Sequence, residues 1–211
     1  LYVWGRVAAL GLGAGAVNAL EPQLHPGLSG IVSVAGFDAR SLAVGSDGTV
    51  WTWGDISSEV GEPAAAVTSN VPVKFMGLPA VAAVFDGEDH SLALLQDGSL
   101  VAWGSNEERQ LGSSLPLGYS EFVPAQVEGT VLMASGGEEN ALVLLDDGTV
   151  LGWGRSMTGV AGSVEDQPFS MPTLLGFTDA AYISVGSDFS LVLDEAGDVW
   201  SWGYGSNGCL G

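Results

Sequence analysis

Basic residues are scarce in this chain. Lys and Arg account for five of the 211 residues, whereas Asp and Glu account for 25, so the formal net charge is −20 at pH 7. A surface of this charge repels nucleic-acid phosphates and anionic membrane surfaces, and we expect neither as a partner. The charge is compatible with a basic protein partner, and it also favours solubility.

Cysteine and histidine are scarce as well. Cys209 is the single cysteine, which excludes an internal disulfide, and the two histidines, His25 and His90, form no Cys/His cluster of the kind that binds zinc. The sequence contains no nucleophile elbow, no His-Glu-x-x-His motif and no calcium-loop spacing. We therefore predict no catalytic residue, no cofactor and no metal, and a protein that is not an enzyme.

Long hydrophobic runs are also lacking. None reaches the ~18 residues that a membrane-spanning helix needs. Glycine is abundant instead, with 32 residues, and it separates many short apolar segments. This pattern indicates frequent turns and an all-β fold.

One glycine-rich stretch, residues 11–16, resembles a dinucleotide-binding loop. That motif requires a following helix inside a βαβ unit. A segment with two prolines, residues 21–26, follows here, so the sequence favours a simple loop.

The chain has an internal period. Trp-Gly pairs begin at positions 4, 53, 103, 153 and 202, in steps of 49 or 50 residues, and a fixed period indicates a repeat architecture. We expect the tryptophans to fill the space between neighbouring repeats and the glycines to let the strand turn away. The residues with this structural role are Trp4, Gly5, Trp53, Gly54, Trp103, Gly104, Trp153, Gly154, Trp202 and Gly203.

Each period predicts four strands. Asp-Gly turns at 47–48, 97–98 and 147–148 predict two-residue hairpins with positive φ at both positions, and Ala196-Gly197 predicts a different turn in the last copy. A proline near the end of each period predicts the start of an edge strand. Four strands in about 50 residues are typical of a β-propeller blade.

The most complete period carries a recognisable set of motifs. They are Gly87-Glu88-Asp89-His90-Ser91-Leu92-Ala93-Leu94, Asp97-Gly98, Trp103-Gly104-Ser105-Asn106 and Gln110-Leu111-Gly112. The last period, from Trp202 to Gly211, is a near match. These motifs resemble the repeat of the regulator of chromosome condensation, the RCC1/BLIP-II superfamily. The resemblance implies a seven-bladed propeller, and it implies that His90 hydrogen-bonds a neighbouring turn.

Five Trp-Gly pairs are too few for seven blades. We therefore expect residues 1–211 to form one propeller segment, an incomplete arc cut from a longer ring. The predicted units are a partial blade at 1–30, blades at 31–77, 81–129 and 131–177, and a partial blade at 181–211.

The resemblance implies a non-catalytic protein-interaction module. A guanine-nucleotide exchange factor for a small GTPase is one alternative, although spacings of 49 to 50 leave no room for the protruding wedge of such proteins. A propeller hydrolase using paired carboxylates is another, with Glu107-Glu108 and Asp146-Asp147 as the pairs. Both pairs fall in predicted turns or loops, where solvated carboxylates are usual.

Acidic residues recur in the turn before the second strand of each repeat. We call this set the acidic rim: Asp38, Glu88, Asp89, Glu138, Glu139 and Asp188. The sequence predicts that they lie along one rim of the arc. They would either dock a basic protein partner or act only as solvated turn residues.

Overall fold

The structure is a computed structural model that describes residues 1–7, 10–57, 67–115, 118–155, 159, 169–205 and 208–211. The elements in these ranges are β-strands, as the sequence predicted. In chain order the strands are β1 (Tyr2–Gly5), β2 (Ala19–Leu24), β3 (Ile31–Phe37), β4 (Arg40–Gly45), β5 (Val50–Asp55), β6 (Thr68–Phe75), β7 (Val81–Asp86), β8 (His90–Leu95), β9 (Leu100–Ser105), β10 (Tyr119–Pro124), β11 (Val131–Gly136), β12 (Asn140–Leu145), β13 (Val150–Gly154), β14 (Phe169–Leu174), β15 (Ala180–Val185), β16 (Phe189–Asp194) and β17 (Val199–Gly203).

The strands form five antiparallel sheets, which we call blades 1 to 5. Blade 1 is β1-β2, blade 2 is β3-β4-β5-β6, blade 3 is β7-β8-β9-β10, blade 4 is β11-β12-β13-β14 and blade 5 is β15-β16-β17. Every strand pairs with its sequence neighbour, so each sheet is a meander. This is the arrangement of propeller blades, and the two end blades are incomplete.

The hydrophobic core lies between consecutive sheets. Between blades 2 and 3, for example, Leu42, Val44 and Val50 of one sheet pack against Val81 and Val84 of the next. Neither sheet buries these side chains alone, so the packing of one blade depends on its neighbour.

The tryptophans of the period occupy these interfaces in the interior of the arc. Trp53, Trp103 and Trp153 are 2%, 1% and 0% exposed. Trp202 is half-buried and stacks on Phe177, with ring centroids 5.7 Å apart. Trp4 differs, because it belongs to the first sheet and is 62% exposed.

The glycine after each tryptophan has positive φ, between 88° and 114°. A Cβ added to Gly54, Gly104, Gly154 or Gly203 would lie 2.0 to 2.5 Å from a backbone carbonyl oxygen of the turn before the second strand. The glycine is therefore needed for close approach as well as for its backbone conformation.

The predicted hairpin type is wrong. Gly48, Gly98 and Gly148 have positive φ, but the aspartates before them do not. The N–H of Gly48 bonds the carbonyl of Gly45 at 2.9 Å, and the N–H of Gly45 bonds Thr49 at 2.8 Å. These contacts define a three-residue loop that ends in a left-handed glycine. Blade 5 has the same turn at Gly197, so the expected difference there is also wrong.

The proline segments do form edge strands, but not at the predicted point. Pro72 and Pro172 lie inside β6 and β14, where the ladder is irregular, and Pro124 ends β10. A bulge on an edge strand tolerates a residue without an N–H. Ser206 and Asn207, part of the last repeat motif, lie outside the described residues, as does most of the loops around 58–66 and 160–168.

Candidate protein-binding site

The turns that carry the acidic rim are held by backbone hydrogen bonds. In blades 2 to 5, the residue after the Trp-Gly pair donates its N–H to a turn carbonyl. The pairs are Asp55 to Ala39 at 3.0 Å, Ser105 to Asp89 at 2.7 Å, Arg155 to Glu139 at 2.9 Å and Tyr204 to Asp188 at 2.7 Å. The rim therefore has a defined backbone rather than the freedom of an open loop.

These contacts also set the register of the rim. Asp89, Glu139 and Asp188 occupy equivalent positions, since each has its carbonyl bound in the same way. Asp188 thus lies one position later in its turn than the spacing of 50 from Glu138 predicted. The cause is the last step of the period, which is 49 residues, so Ser187 stands where the other blades have the first acid.

Glu88 lies at the centre of a cluster of like charges. Its pKa is raised, first by partial burial and then by the nearby carboxylates of Glu138, Asp89, Asp38 and Glu139. Glu88 is therefore close enough to four other rim residues for their charges to act on it.

One basic side chain offsets part of this charge. Arg155 forms an ion pair with Glu139, and both side chains are about one-third exposed. The hydrogen bond to Glu139 raises the pKa of Arg155, and the charges of Glu108 and Glu138 add to the effect. An exposed pair of this kind contributes little to stability, but it offsets the charge of Glu139 in blade 4.

A buried ion pair lies next to the rim, between blades 2 and 3. Arg40 is 5% exposed, and its guanidinium donates to Asp86 Oδ1 at 2.6 Å and to the carbonyls of Gly87 and Glu88 at 2.9 and 3.2 Å. Burial raises the pKa of Asp86, while Arg40 and a 2.7 Å hydrogen bond from Ser91 oppose that shift. These hydrogen bonds fix the backbone position of Glu88.

Sequence reasoning missed this pair, although a signal was present. Arg40 occupies the position that His90 and Asn140 have in the next two blades. Asp86 likewise stands where blades 2 and 4 have Gly36 and Gly136. Two departures from the repeat, with opposite charges and in adjacent blades, would have suggested a contact.

The hydrogen bond expected for His90 is at most a poorly aligned contact with the Asn140 backbone in the next blade. The ring is fully buried, and neither nitrogen meets a partner at hydrogen-bonding geometry. Burial and the charge of Arg40 lower the pKa of His90 to about 3, against a weak opposing effect of the Asn140 backbone. His90 is therefore neutral at physiological pH and adds no charge to the rim.

His25 has a structural role. It is 4% exposed, its Nε2 lies 3.0 Å from the carbonyl of Gly11, and the N–H of Gly27 donates to its Nδ1 at 3.2 Å. The nitrogen that accepts from Gly27 carries no proton, so Nε2 is the donor to Gly11. This contact holds the glycine-rich loop against Trp53, which confirms that residues 11–16 are a loop.

One pair of acids of the hydrolase alternative lies in a solvated turn, as the sequence predicted. Asp146 and Asp147 are exposed at the β12–β13 hairpin, where Asp147 accepts the N–H of Thr149 at 2.9 Å. Among the described residues, no three His, Cys, Asp or Glu side chains are placed to hold a metal ion. The same part of the chain contains no helix that is long and apolar enough to span a membrane.

Comparison with known families identifies the repeat. The model described as "Regulator of chromosome condensation (RCC1) repeat" matches residues 80–110 and 181–209. Two segments of the chain therefore resemble the RCC1 repeat. The two matched segments cover corresponding parts of blades 3 and 5, and the resemblance drawn from the motifs is confirmed. No curated protein matches the chain.

Solved RCC1 structures show the same fold. Yeast RCC1 (Prp20) bound to Kap60 matches with a TM-score of 0.84 and 23% identity over 97% of this chain and 52% of that one. Prp20p from Saccharomyces cerevisiae, described with its binding to Gsp1p and histones, gives 0.85 and 23% over 99% and 55%. Human WBSCR16 gives 0.78 and 23% over 97% and 56%. The chain thus spans little more than half the length of each of these proteins.

Proposed function

We propose that this chain is a non-catalytic protein-interaction module whose acidic rim binds a basic segment of a partner protein. The observation that carries the proposal is the crowding of carboxylates around Glu88, whose charges add to the rise in its pKa that partial burial causes. Cationic side chains of a partner would relieve that repulsion, so the rim favours a basic ligand.

The rigidity of the rim supports the same proposal. A carbonyl of each acidic turn accepts a hydrogen bond from the N–H of the residue after the Trp-Gly pair. In blade 3, the buried guanidinium of Arg40 also donates to the carbonyls of Gly87 and Glu88. A surface that is already ordered loses less entropy on binding. Yeast RCC1 (Prp20) is described bound to Kap60, and Prp20p is described with its binding to Gsp1p and histones. These proteins of the same fold bind other proteins, which supports the proposal.

Binding of an arginine-rich peptide tests the proposal. The variant pair Glu88→Gln, Glu138→Gln removes two rim charges. The matched control pair, Glu128→Gln, Asp146→Asn, removes two exposed charges from the other end of the strands. Affinities would be measured by fluorescence anisotropy at low salt and at about 1 M salt, where the Debye length is about 3 Å. A peptide with glutamine in place of arginine serves as the second control.

We expect the wild-type chain and the control pair to bind the arginine peptide equally at low salt. The rim pair should bind roughly tenfold more weakly, and high salt should abolish most binding in all three. Equal binding by the rim pair and the control pair would mean that net charge alone attracts the peptide. Absence of salt-dependent binding by the wild-type chain would end the proposal.

A further inference from the structure

A cleft lies between the outer parts of blades 3 and 4, at the opposite end of the sheets from the acidic rim. Its volume is about 610 Å³, which is typical of clefts that bind ligands. Both blades have all four strands, and each packs against a further blade on its other side. The cleft is therefore formed by complete repeats. Its apolar lining consists of Val127, Leu145, Leu151, Met171, Pro172 and Leu174.

The corresponding space between blades 2 and 3 is filled by aromatic rings. Phe75, Trp103 and Phe122 form a cluster there, with ring centroids 5.2 to 5.8 Å apart. The ring of Phe122 also lies against Gly77, because a Cβ added to Gly77 would be 3.2 Å from it. Two phenylalanines, one from each blade, thus close the outer part of this interface.

The first of these phenylalanines is replaced by a small residue in the next interface. Phe75 pairs with Val50 at the start of the third strand of blade 2. The equivalent residue of blade 3 is Ala125, whose N–H donates at 3.0 Å to the carbonyl of Leu100, which begins the third strand of that blade. A methyl group therefore stands where blade 2 supplies a ring.

The second phenylalanine is replaced as well, and the replacement lies in the wall of the cleft. Phe122 and Pro172 each precede the residue that pairs with the third residue of their blade's third strand, so they have equivalent positions. By the same alignment, Val127 has the position of Gly77. Val127 and Pro172 both line the cleft, whereas Gly77 and Phe122 lie against each other. The cleft is thus a space that a phenylalanine ring fills in the neighbouring interface.

The charges beside the cleft restrict what can enter it. Among the described residues that line it, the charged ones are Glu128 and Asp147, and both are exposed. Their carboxylates repel an acidic ligand. A neutral aromatic ring needs no counter-charge and matches the apolar lining.

We propose that this cleft binds a phenylalanine side chain from a segment of a partner protein that has no acidic residue next to it. The repeat itself indicates the occupant, because the equivalent space one interface earlier is closed by such a ring. Aromatic side chains that enter pockets are common anchors of protein–protein interfaces. The site is separate from the acidic rim and does not depend on the binding proposed there.

A short peptide serves as the probe, with one phenylalanine at the centre of glycine and serine residues and with both ends capped. Three further probes are compared with it. One has alanine in place of phenylalanine, one has aspartate on both sides of the phenylalanine, and one is free N-acetylphenylalanine amide. Binding to the isotope-labelled chain would be followed by NMR amide shifts.

Three variants test the site. Leu174→Ser removes an apolar wall at a position that is 69% exposed, and Leu132→Ser is the matched control, since Leu132 is 57% exposed on the first strand of the same blade and does not line the cleft. Ala125→Phe introduces the ring that blade 2 has at this position. Circular dichroism would confirm folding, and Val127→Phe replaces Ala125→Phe if that variant does not fold.

We expect the phenylalanine peptide to shift the amides of Val127, Leu145 and Thr149 saturably, with a dissociation constant of about 1 mM or lower. The alanine and aspartate peptides should bind about tenfold more weakly, and the free amide several-fold more weakly. Leu174→Ser should weaken binding about threefold to tenfold, Leu132→Ser should leave it unchanged, and Ala125→Phe should abolish it.

Four results would each overturn the proposal. The alanine peptide could give the same shifts as the phenylalanine peptide, or no probe could give saturable shifts at these residues. Leu174→Ser and Leu132→Ser could bind equally well. Ala125→Phe, or Val127→Phe in its place, could bind like the wild-type chain. Equal affinity for the free amide and the peptide would mean that the cleft takes a small aromatic molecule and not a protein segment.

Discussion

Arg40 is the residue at which one blade departs most clearly from the repeat. Its guanidinium is buried against Asp86, and removal of one partner would leave a buried charge without compensation. We expect Arg40→Met to lower the free energy of unfolding by about 3–5 kcal/mol. Urea denaturation of the two variants, Arg40→Met alone and with Asp86→Asn, measures this effect.

The double variant should regain part of the loss, because no unpaired charge remains. If both variants lost the same stability, the charge of Asp86 would have no role, and the loss would reflect packing of the arginine stem alone. The Arg40 variants also remove a support of the acidic rim, since Arg40 donates a hydrogen bond to the carbonyl of Glu88.

Because of His90, the free energy of unfolding should depend on pH. Its pKa is about 3 in the folded chain and about 6.5 when unfolded, so below pH 6.5 the unfolded state binds a proton that the folded state does not. Stability should therefore fall as the pH drops from 6.5 towards 3, by about 1.4 kcal/mol per pH unit for this one group. The fall should flatten near pH 3, where the folded chain also takes up the proton.

Denaturation at several pH values in wild-type and His90→Asn chains isolates this effect. Asparagine is the residue that blade 4 has at the same position. The variant should lose most of the dependence between pH 6.5 and 4. An unchanged pH profile in His90→Asn would show that other groups cause the acid sensitivity.

At the scale of the strand and turn, the period of the Trp-Gly pairs was enough to predict four-stranded sheets. It was not enough to predict the turn, because Asp-Gly is common both in two-residue hairpins and in the three-residue loop that ends at Gly48. The position of Asp188 was missed for a similar reason. A step of 49 residues shifts the positions in the last repeat by one. The hydrogen bond from the N–H of Tyr204 to the carbonyl of Asp188 shows that the shift affects this turn.

The glycines offer a test at this scale. Gly98 and Gly104 both have positive φ, at 87° and 101°. A Cβ at Gly98 would meet nothing within 4 Å, whereas one at Gly104 would lie 2.4 Å from the carbonyl oxygen of Asp89. Gly98→Ala should cost only the backbone strain of about 1–2 kcal/mol.

Gly104→Ala should cost that strain plus the displacement of the acidic turn, so it should be clearly the less stable variant in thermal unfolding. The matched backbone conformation makes Gly98→Ala the control for φ alone. Equal stabilities would mean that the close approach of strand and turn has no energetic weight.

For the whole molecule, the sequence predicted the arc but not the contacts between its blades. Arg40 with Asp86 and Glu88 with Glu138 are separated by 46 and 50 residues. The period shows that such positions are equivalent in successive blades. Which side chains come into contact depends on how far one sheet is displaced relative to the next, and the period does not give that displacement. The division into blades at 31–77, 81–129 and 131–177 remains a prediction.

The acidic rim shows the same limit. The spacing placed its residues at one end of successive sheets, and the structure adds that four other rim carboxylates act on Glu88 and that Arg155 pairs with Glu139. Those two facts depend on how the sheets stack and on Arg155, which stands where blade 3 has Ser105 after the Trp-Gly pair. The period alone could not predict where the charge is concentrated, and the assignment of the rim as a binding surface remains a prediction.

The most direct test of this account is the location of a bound basic peptide. Amide shifts of the isotope-labelled chain, followed by NMR during titration with an arginine-rich peptide, distinguish the two ends of the sheets. We expect the largest changes at Asp38, Glu88, Asp89 and Glu138, and small changes at the hairpins of Asp47, Asp97 and Asp147. Equal changes at both ends, or larger changes at the hairpins, would contradict the proposal that the rim is the binding surface.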